Sequence, residues 1–87
     1  MYSVVISKKA AKYLARLDTL QRERIYAKLQ LLGEGLFDRL DIRMMQGFSD
    51  IWRLRIWDTR VIYRKEDNIL YISIIDIGPR WDIYKSI

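Results

Sequence analysis

The stretch Asp50–Lys65 leaves this chain few ways to fold, reading Asp-Ile-Trp-Arg-Leu-Arg-Ile-Trp-Asp-Thr-Arg-Val-Ile-Tyr-Arg-Lys. Two runs of strict alternation flank Asp58-Thr59, and side chains along a strand alternate between its faces. The pattern predicts a hairpin of half-buried strands with Asp58-Thr59 as its loop. With that loop Trp57 pairs with Arg60, Arg55 with Ile62 and Arg53 with Arg64, and paired residues share a face. Arg53, Arg55, Arg60 and Arg64 then gather on one side, with Trp57 at the tip beside them. Trp52, Leu54, Ile56, Val61 and Tyr63 line the other. A one-residue slip would turn arginines inward, so the apolar face sets the register. Like charges side by side on a sheet oppose folding. A solvated plate whose arginine stems serve as cover is one outcome. A site for a polyanion accounts better for the clustering, because the planar guanidinium fork suits phosphate.

The rest of the chain is read against that plate. Its 87 residues make a single domain, residues 1–87, and 51% of them are hydrophobic, enough for a core without staples. Cysteine and histidine are both absent, which excludes a disulfide framework, a thiolate metal site and an imidazole base. No metal or cofactor is expected, and any catalysis falls to Arg, Lys, Tyr or carboxylates. The net charge of +5 points to an anionic partner, with nucleic acid favoured over membrane. No apolar run is long enough for a transmembrane helix, and Met1–Ile6 followed by Lys8-Lys9 does not read as a signal peptide. The expectation is a cytoplasmic protein.

Tyr2–Ile6 is a β-branched run and a first strand. Ser7 caps a helix with Ala10, Tyr13, Leu14 and Leu17 on one stripe. Asp18-Thr19 opens a second helix, from about Leu20 to Leu32, with Ile25, Leu29 and Leu32 inward and Gly33 as its stop. Glu34–Arg39 is a connecting loop and Leu40–Met45 a weaker strand. Gly47, Ser49 and Asp50 turn the chain into the hairpin, and Glu66-Asp67-Asn68 turns it out again. Ile69–Ile77 is the most apolar run, suited to an inner strand, and Gly78-Pro79 ends it. Tyr13, Ile25, Leu29, Leu32, Tyr63 and Ile72 are expected in the core. The fold class is α+β: two N-terminal helices packed on a mainly antiparallel, twisted sheet of four to five strands.

Three segments carry a resemblance: Trp52-Arg-Leu-Arg-Ile56, Thr59-Arg-Val-Ile-Tyr63, and Gly78-Pro-Arg80 with Tyr84 four residues on. In this order and spacing they resemble the RelE/ParE superfamily of bacterial and archaeal toxins, over nearly the whole chain. The RelE branch implies a toxin that enters the ribosomal A site and cleaves messenger RNA until a cognate antitoxin neutralises it. Matched residue by residue, the paired basic positions fall on Arg53 and Arg55, the arginine of the next strand on Arg60, the basic residue after the last strand on Arg80, and the tyrosine on Tyr84. Arg64 comes from the hairpin register alone, as an RNA-binding residue, and Trp57 either stacks on a base or covers arginine stems. The chain departs from well-known members in carrying arginine where some have lysine, and arginine is a poor base. It has no histidine, and Glu23, Glu34 and Glu66 are placed in a helix, a loop and a turn, away from the plate. The base is therefore not identified. The last helix seen in several relatives is missing or very short.

The chemistry implied is attack of an RNA 2′-hydroxyl on the neighbouring phosphate, leaving a cyclic phosphate and a free 5′-hydroxyl. Arg60 and Arg80 would face the charge that builds on the phosphate oxygens. Arg53 and Arg55 would hold the backbone on either side, and Tyr84 would stack on a base or donate a proton. Two other classes stay open: a ParE-like toxin that inhibits DNA gyrase without cutting RNA, and a basic module that binds RNA without chemistry. The expected partners are a cognate antitoxin in a hetero-oligomer, the ribosome and messenger RNA.

Overall fold

The computed structural model describes residues 1–79. Strand β1 (Ser3–Ile6) leads into helix α1 (Lys8–Arg16) and helix α2 (Thr19–Gly33). Strands β2 (Asp41–Met44), β3 (Ile51–Ile56), β4 (Thr59–Glu66) and β5 (Tyr71–Pro79) follow, with short 3₁₀ turns at Phe37–Arg39 and Asp67–Ile69. They form one five-stranded sheet in the order β1-β5-β4-β3-β2. Among the described strands only the β1–β5 pair is parallel, and the two helices carry the chain from β1 at one edge of the sheet towards β2 at the other. The α+β class read from the sequence is the one found.

Both helices begin where capping chemistry places them. Ser7 Oγ accepts from the Ala10 amide at 3.1 Å, and Asp18 Oδ1 accepts from the Gln21 amide at 2.8 Å. The end of α1 is closed from α2. Arg22 donates from Nε to the Leu14 carbonyl and from Nη2 to the Leu17 carbonyl, at 3.1 and 2.6 Å. A cation thereby meets the negative end of the helix dipole. Gly33 closes α2 as expected, for a different reason. Its carbonyl accepts from the Tyr2 amide, and a Cβ there would meet Val4 Cγ2 at 3.1 Å, a contact tight enough that the valine would have to shift. The positive φ of the exit belongs to Gly35, at 79°.

Ala10, Leu14, Ile25, Leu29 and Leu32 pack on Leu54, Ile56, Val61, Tyr63, Ile72, Ile74 and Ile77 to form the main core. Tyr13 only borders it. The apolar run of β5 contains a bulge, because Ile62 pairs with Asp76 and Tyr63 with Ile74, leaving Ile75 without an opposite. Ile74 and Ile77 both face the helices as a result, while Ile75 packs on Ile51 and Ile62 across the sheet. The strand also starts two residues later than expected, at Tyr71, and includes Gly78 and Pro79. Glu66, expected in a turn, closes β4.

The hairpin loop is Trp57-Asp58, not Asp58-Thr59. Thr59 pairs with Ile56, Arg60 with Arg55, Ile62 with Arg53 and Arg64 with Ile51. This register lies two residues from the expected one. A shift of two preserves the face of every side chain, where a shift of one reverses it. The four arginines therefore still share a face. Trp57 leaves it, because it occupies the turn with φ 59°.

Candidate functional site: an arginine-lined sheet face

The helices cover one face of the sheet, and the arginines occupy the other. Three cross-strand rows build it: Asp41–Arg55–Arg60–Gly78, Arg43–Arg53–Ile62–Asp76, and Ile51–Arg64–Ser73. Arg55 thus lies directly opposite Arg60, and Arg53 opposite Arg43. Such pairs repel unless something nearby compensates.

The compensation differs from one arginine to the next. Arg53 Nη2 lies 3.4 Å from Asp41 Oδ1, and Arg64 Nε lies 3.1 Å from Asp50 Oδ2. Arg60 is 5% exposed, beside a glycine that leaves room for its side chain. Its Nη1 donates to the carbonyls of Trp57 and Thr59 at 2.9 and 3.3 Å. Arg55 Nε donates to the same Trp57 carbonyl at 3.2 Å. Two guanidinium groups therefore fix the hairpin turn while keeping their charge. The Nε atoms of Arg53 and Arg60 are buried and have no acceptor among the described residues.

Two carboxylates share the face. Asp41 is half exposed beside Arg53. Asp76 is buried, with Oδ1 accepting from the Ile77 amide at 2.9 Å and Oδ2 lying 3.1 Å from Lys9 Nζ. Neither was found from sequence, and neither was Arg43. The signal was present in Asp41-Ile-Arg43-Met44, whose alternation puts Asp41 and Arg43 together once β2 is accepted as a strand. Asp76 was hidden in an apolar run whose bulge is not legible in the residues.

Arg53, Arg55, Arg60 and Arg64 are brought onto one surface. Arg80 and Tyr84, the remaining expected site residues, lie outside the described residues. Trp57 is set at the rim, 66% exposed, with the Arg24 guanidinium 4.2 Å from its ring centroid. Among the described residues no cluster of three or more acidic, His or Cys side chains could hold a metal.

The fold has counterparts among known proteins. A family model described as the ParE toxin of the type II toxin–antitoxin system parDE matches residues 4–84. The chain belongs to this toxin family. Among solved structures the toxin is similar to the archaeal RelE–RelB complex from Pyrococcus horikoshii, at 27% identity and a TM-score of 0.78. That match covers 93% of this chain and 97% of the other. The intact E. coli RelBE complex follows at 20% identity and a TM-score of 0.74, covering 91% and 96%. The RelB–RelE complex from Methanococcus jannaschii matches at 19% identity and 0.74, covering 92% and 94%. The last two likenesses show a shared fold. No curated protein sequence gives a significant match. The toxin is thus a type II toxin–antitoxin protein of the RelE/ParE superfamily with RelE-like structural neighbours.

Proposed function

We propose that the toxin is a ribosome-dependent messenger RNA endonuclease and that the arginine face is its site. The observation that carries this reading is the convergence of Arg43, Arg53, Arg55, Arg60 and Arg64 from three strands onto the sheet face opposite the helices. The 2′-oxygen of one nucleotide attacks the adjacent phosphorus, the bond to the 5′-oxygen breaks, and a 2′,3′-cyclic phosphate and a 5′-hydroxyl result. The 2′-hydroxyl loses a proton and the leaving oxygen gains one. Arg53 and Arg55 hold phosphates on either side of the scissile bond. Arg60, held by the turn carbonyls, acts as a fixed charge whose field opposes the negative charge building at phosphorus, without reorganising during the reaction. On the resemblance, Arg80 is assigned the role of phosphate clamp and Tyr84 that of stacking or proton-donating group. Holding the 2′-oxygen in line with the leaving oxygen lowers the barrier by several kcal/mol, a contribution that needs no strong base.

A second reading is gyrase inhibition without RNA cleavage, and the ParE description of the matching family favours it. Induced expression followed by mapping of messenger RNA ends separates the two. Cuts confined to translated regions support the nuclease. Intact messages with gyrase unable to supercoil DNA would overturn it in favour of the second reading.

In either case an antitoxin is the expected resting partner, since the RelE relatives are found in complexes with RelB antitoxins. β1 is an edge strand bordering a groove lined by Tyr2, Val4, Ile6, Tyr26 and Leu29. An extended antitoxin segment that pairs with that edge buries apolar side chains in the groove.

A further inference from the structure

The hairpin tip is built against local preference. In a two-residue hairpin turn, a first position with positive φ favours glycine or asparagine. Trp57 occupies it at φ 59°. A bulky side chain there is strained, and the strain persists because Arg55 and Arg60 both donate to the Trp57 carbonyl. The ring so displayed is 66% exposed and does not enter the core. It separates two clefts. Arg24, stacked 4.2 Å from the ring centroid, lines the cleft on one side and not the one on the other. The second cleft, of about 360 Å³, is walled by Lys28 of α2, Arg39 of the 3₁₀ turn, Asp41, Arg55 and the Trp57 ring. Its one carboxylate, Asp41, lies 3.4 Å from Arg53, so three cations outweigh a charge that already has a partner. Arg55 belongs to this cleft and to the arginine face alike, which makes the two surfaces continuous around the hairpin edge.

We infer that this cleft is a second RNA subsite, in which an unpaired nucleotide beyond the cleaved bond stacks on Trp57 while Lys28 and Arg39 hold its phosphates. An exposed aromatic face beside a basic groove is what single-stranded nucleic acid uses, because every base presents a π-face and every linkage a charge. A protein partner would call for predominantly apolar walls, and here Lys28, Arg39, Asp41 and Arg55 stand beside Leu40, Ile56 and Trp57. The inference rests on the reading of the arginine face as an RNA site and extends it around the hairpin.

The test is equilibrium binding of the full chain to a non-cleavable 2′-O-methyl single-stranded RNA of about a dozen nucleotides, within the span such grooves cover. Cleavage on programmed ribosomes is measured beside it. Trp57→Gly removes the ring and suits the positive φ, so the unfolding midpoint should not fall while affinity drops about tenfold or more. Lys28→Gln with Arg39→Gln should lower the slope of log affinity against log salt by about 1.4, the loss of two single-strand phosphate contacts. Wild-type affinity unchanged in all these variants, or equal affinity for duplex RNA, overturns the subsite and leaves the arginine face standing. Ribosomal cleavage without measurable affinity for free RNA overturns the subsite too. Neither binding nor cleavage removes both readings together.

Discussion

The two faces of the sheet are made from the same strands and obey opposite rules. Towards the helices, Leu54, Val61, Tyr63, Ile72 and Ile74 are at most 1% exposed. On the far side, among the described residues, Ile51 and Ile62 form the buried apolar cluster, with Arg43, Arg53, Arg55 and Arg64 on the same face. Burial on one face stabilises the fold, and that surplus lets the other carry charges that repel each other. Stability and function are therefore expected to separate by face. The strongest challenge is Arg53→Gln with Arg55→Gln. Cleavage on programmed ribosomes should fall on the order of 10² to 10³-fold, as when a fixed electrostatic donor is removed from a site. The thermal midpoint should change little, because relief of the Arg55–Arg60 and Arg53–Arg43 repulsion offsets the lost Arg55 bond to the Trp57 carbonyl and the lost Arg53–Asp41 contact. A protein that loses both would show that the arginines support the fold.

The converse substitution is Leu54→Ala, one residue away on the same strand. Leu54 is fully buried, so the change should cost roughly 2–5 kcal/mol in urea unfolding, from lost transfer energy plus the cavity. The folded fraction should keep its cleavage rate. A cost below about 1 kcal/mol would mean that the core relaxes around the gap, and the faces would then differ less than described.

Why one face was legible from sequence and the other only in part follows from the same contrast. Alternation across Trp52–Ile56 and Thr59–Tyr63 records parity, so the shared face of Arg53, Arg55, Arg60 and Arg64 survived an error in the loop. The loop itself was misread because Trp57-Asp58 lacks the glycine or asparagine that marks such turns. Local preference gave way to the guanidinium bonds that close on the Trp57 carbonyl. Caps at Ser7 and Asp18 were legible, being hydrogen bonds within one turn. Arg22 closing α1, Asp76 meeting Lys9 and the bulge at Ile75 were not, since each depends on where a distant element comes to rest. Asp41 and Arg43 fall between, readable once β2 is granted.

Ser7 sits where the two faces exchange roles. Its hydroxyl caps α1 and also donates to the Ile75 carbonyl at 2.7 Å, at the bulge that sends Ile75 and Asp76 to the arginine side. Ser7→Ala should cost about 1 kcal/mol, the usual worth of an N-cap. Hydrogen exchange should quicken at the first amides of α1 and around Ile75 together. Faster exchange in α1 alone would show that the bulge holds without the helix.

The smallest effect near neutrality is also the most selective for the covered face. Tyr63 is 1% exposed, and burial pushes its phenol well above the ordinary value near 10, with Tyr2 adding in the same direction. Below about pH 10 both folded and unfolded chains hold this proton, and it contributes nothing to the pH dependence. Above that pH the unfolded chain releases it and the folded chain does not, so stability falls as pH rises. The slope approaches about 1.4 kcal/mol per pH unit and continues until the folded phenol itself ionises. Tyr63→Phe removes this contribution, while the other tyrosines and the lysines titrate alike in both proteins. The stability difference between wild type and variant should therefore stay flat from about pH 7 to 9.5 and shift in favour of the variant above 10. A difference constant to pH 11 would mean that water reaches the phenol, and that the helices do not seal this face in solution.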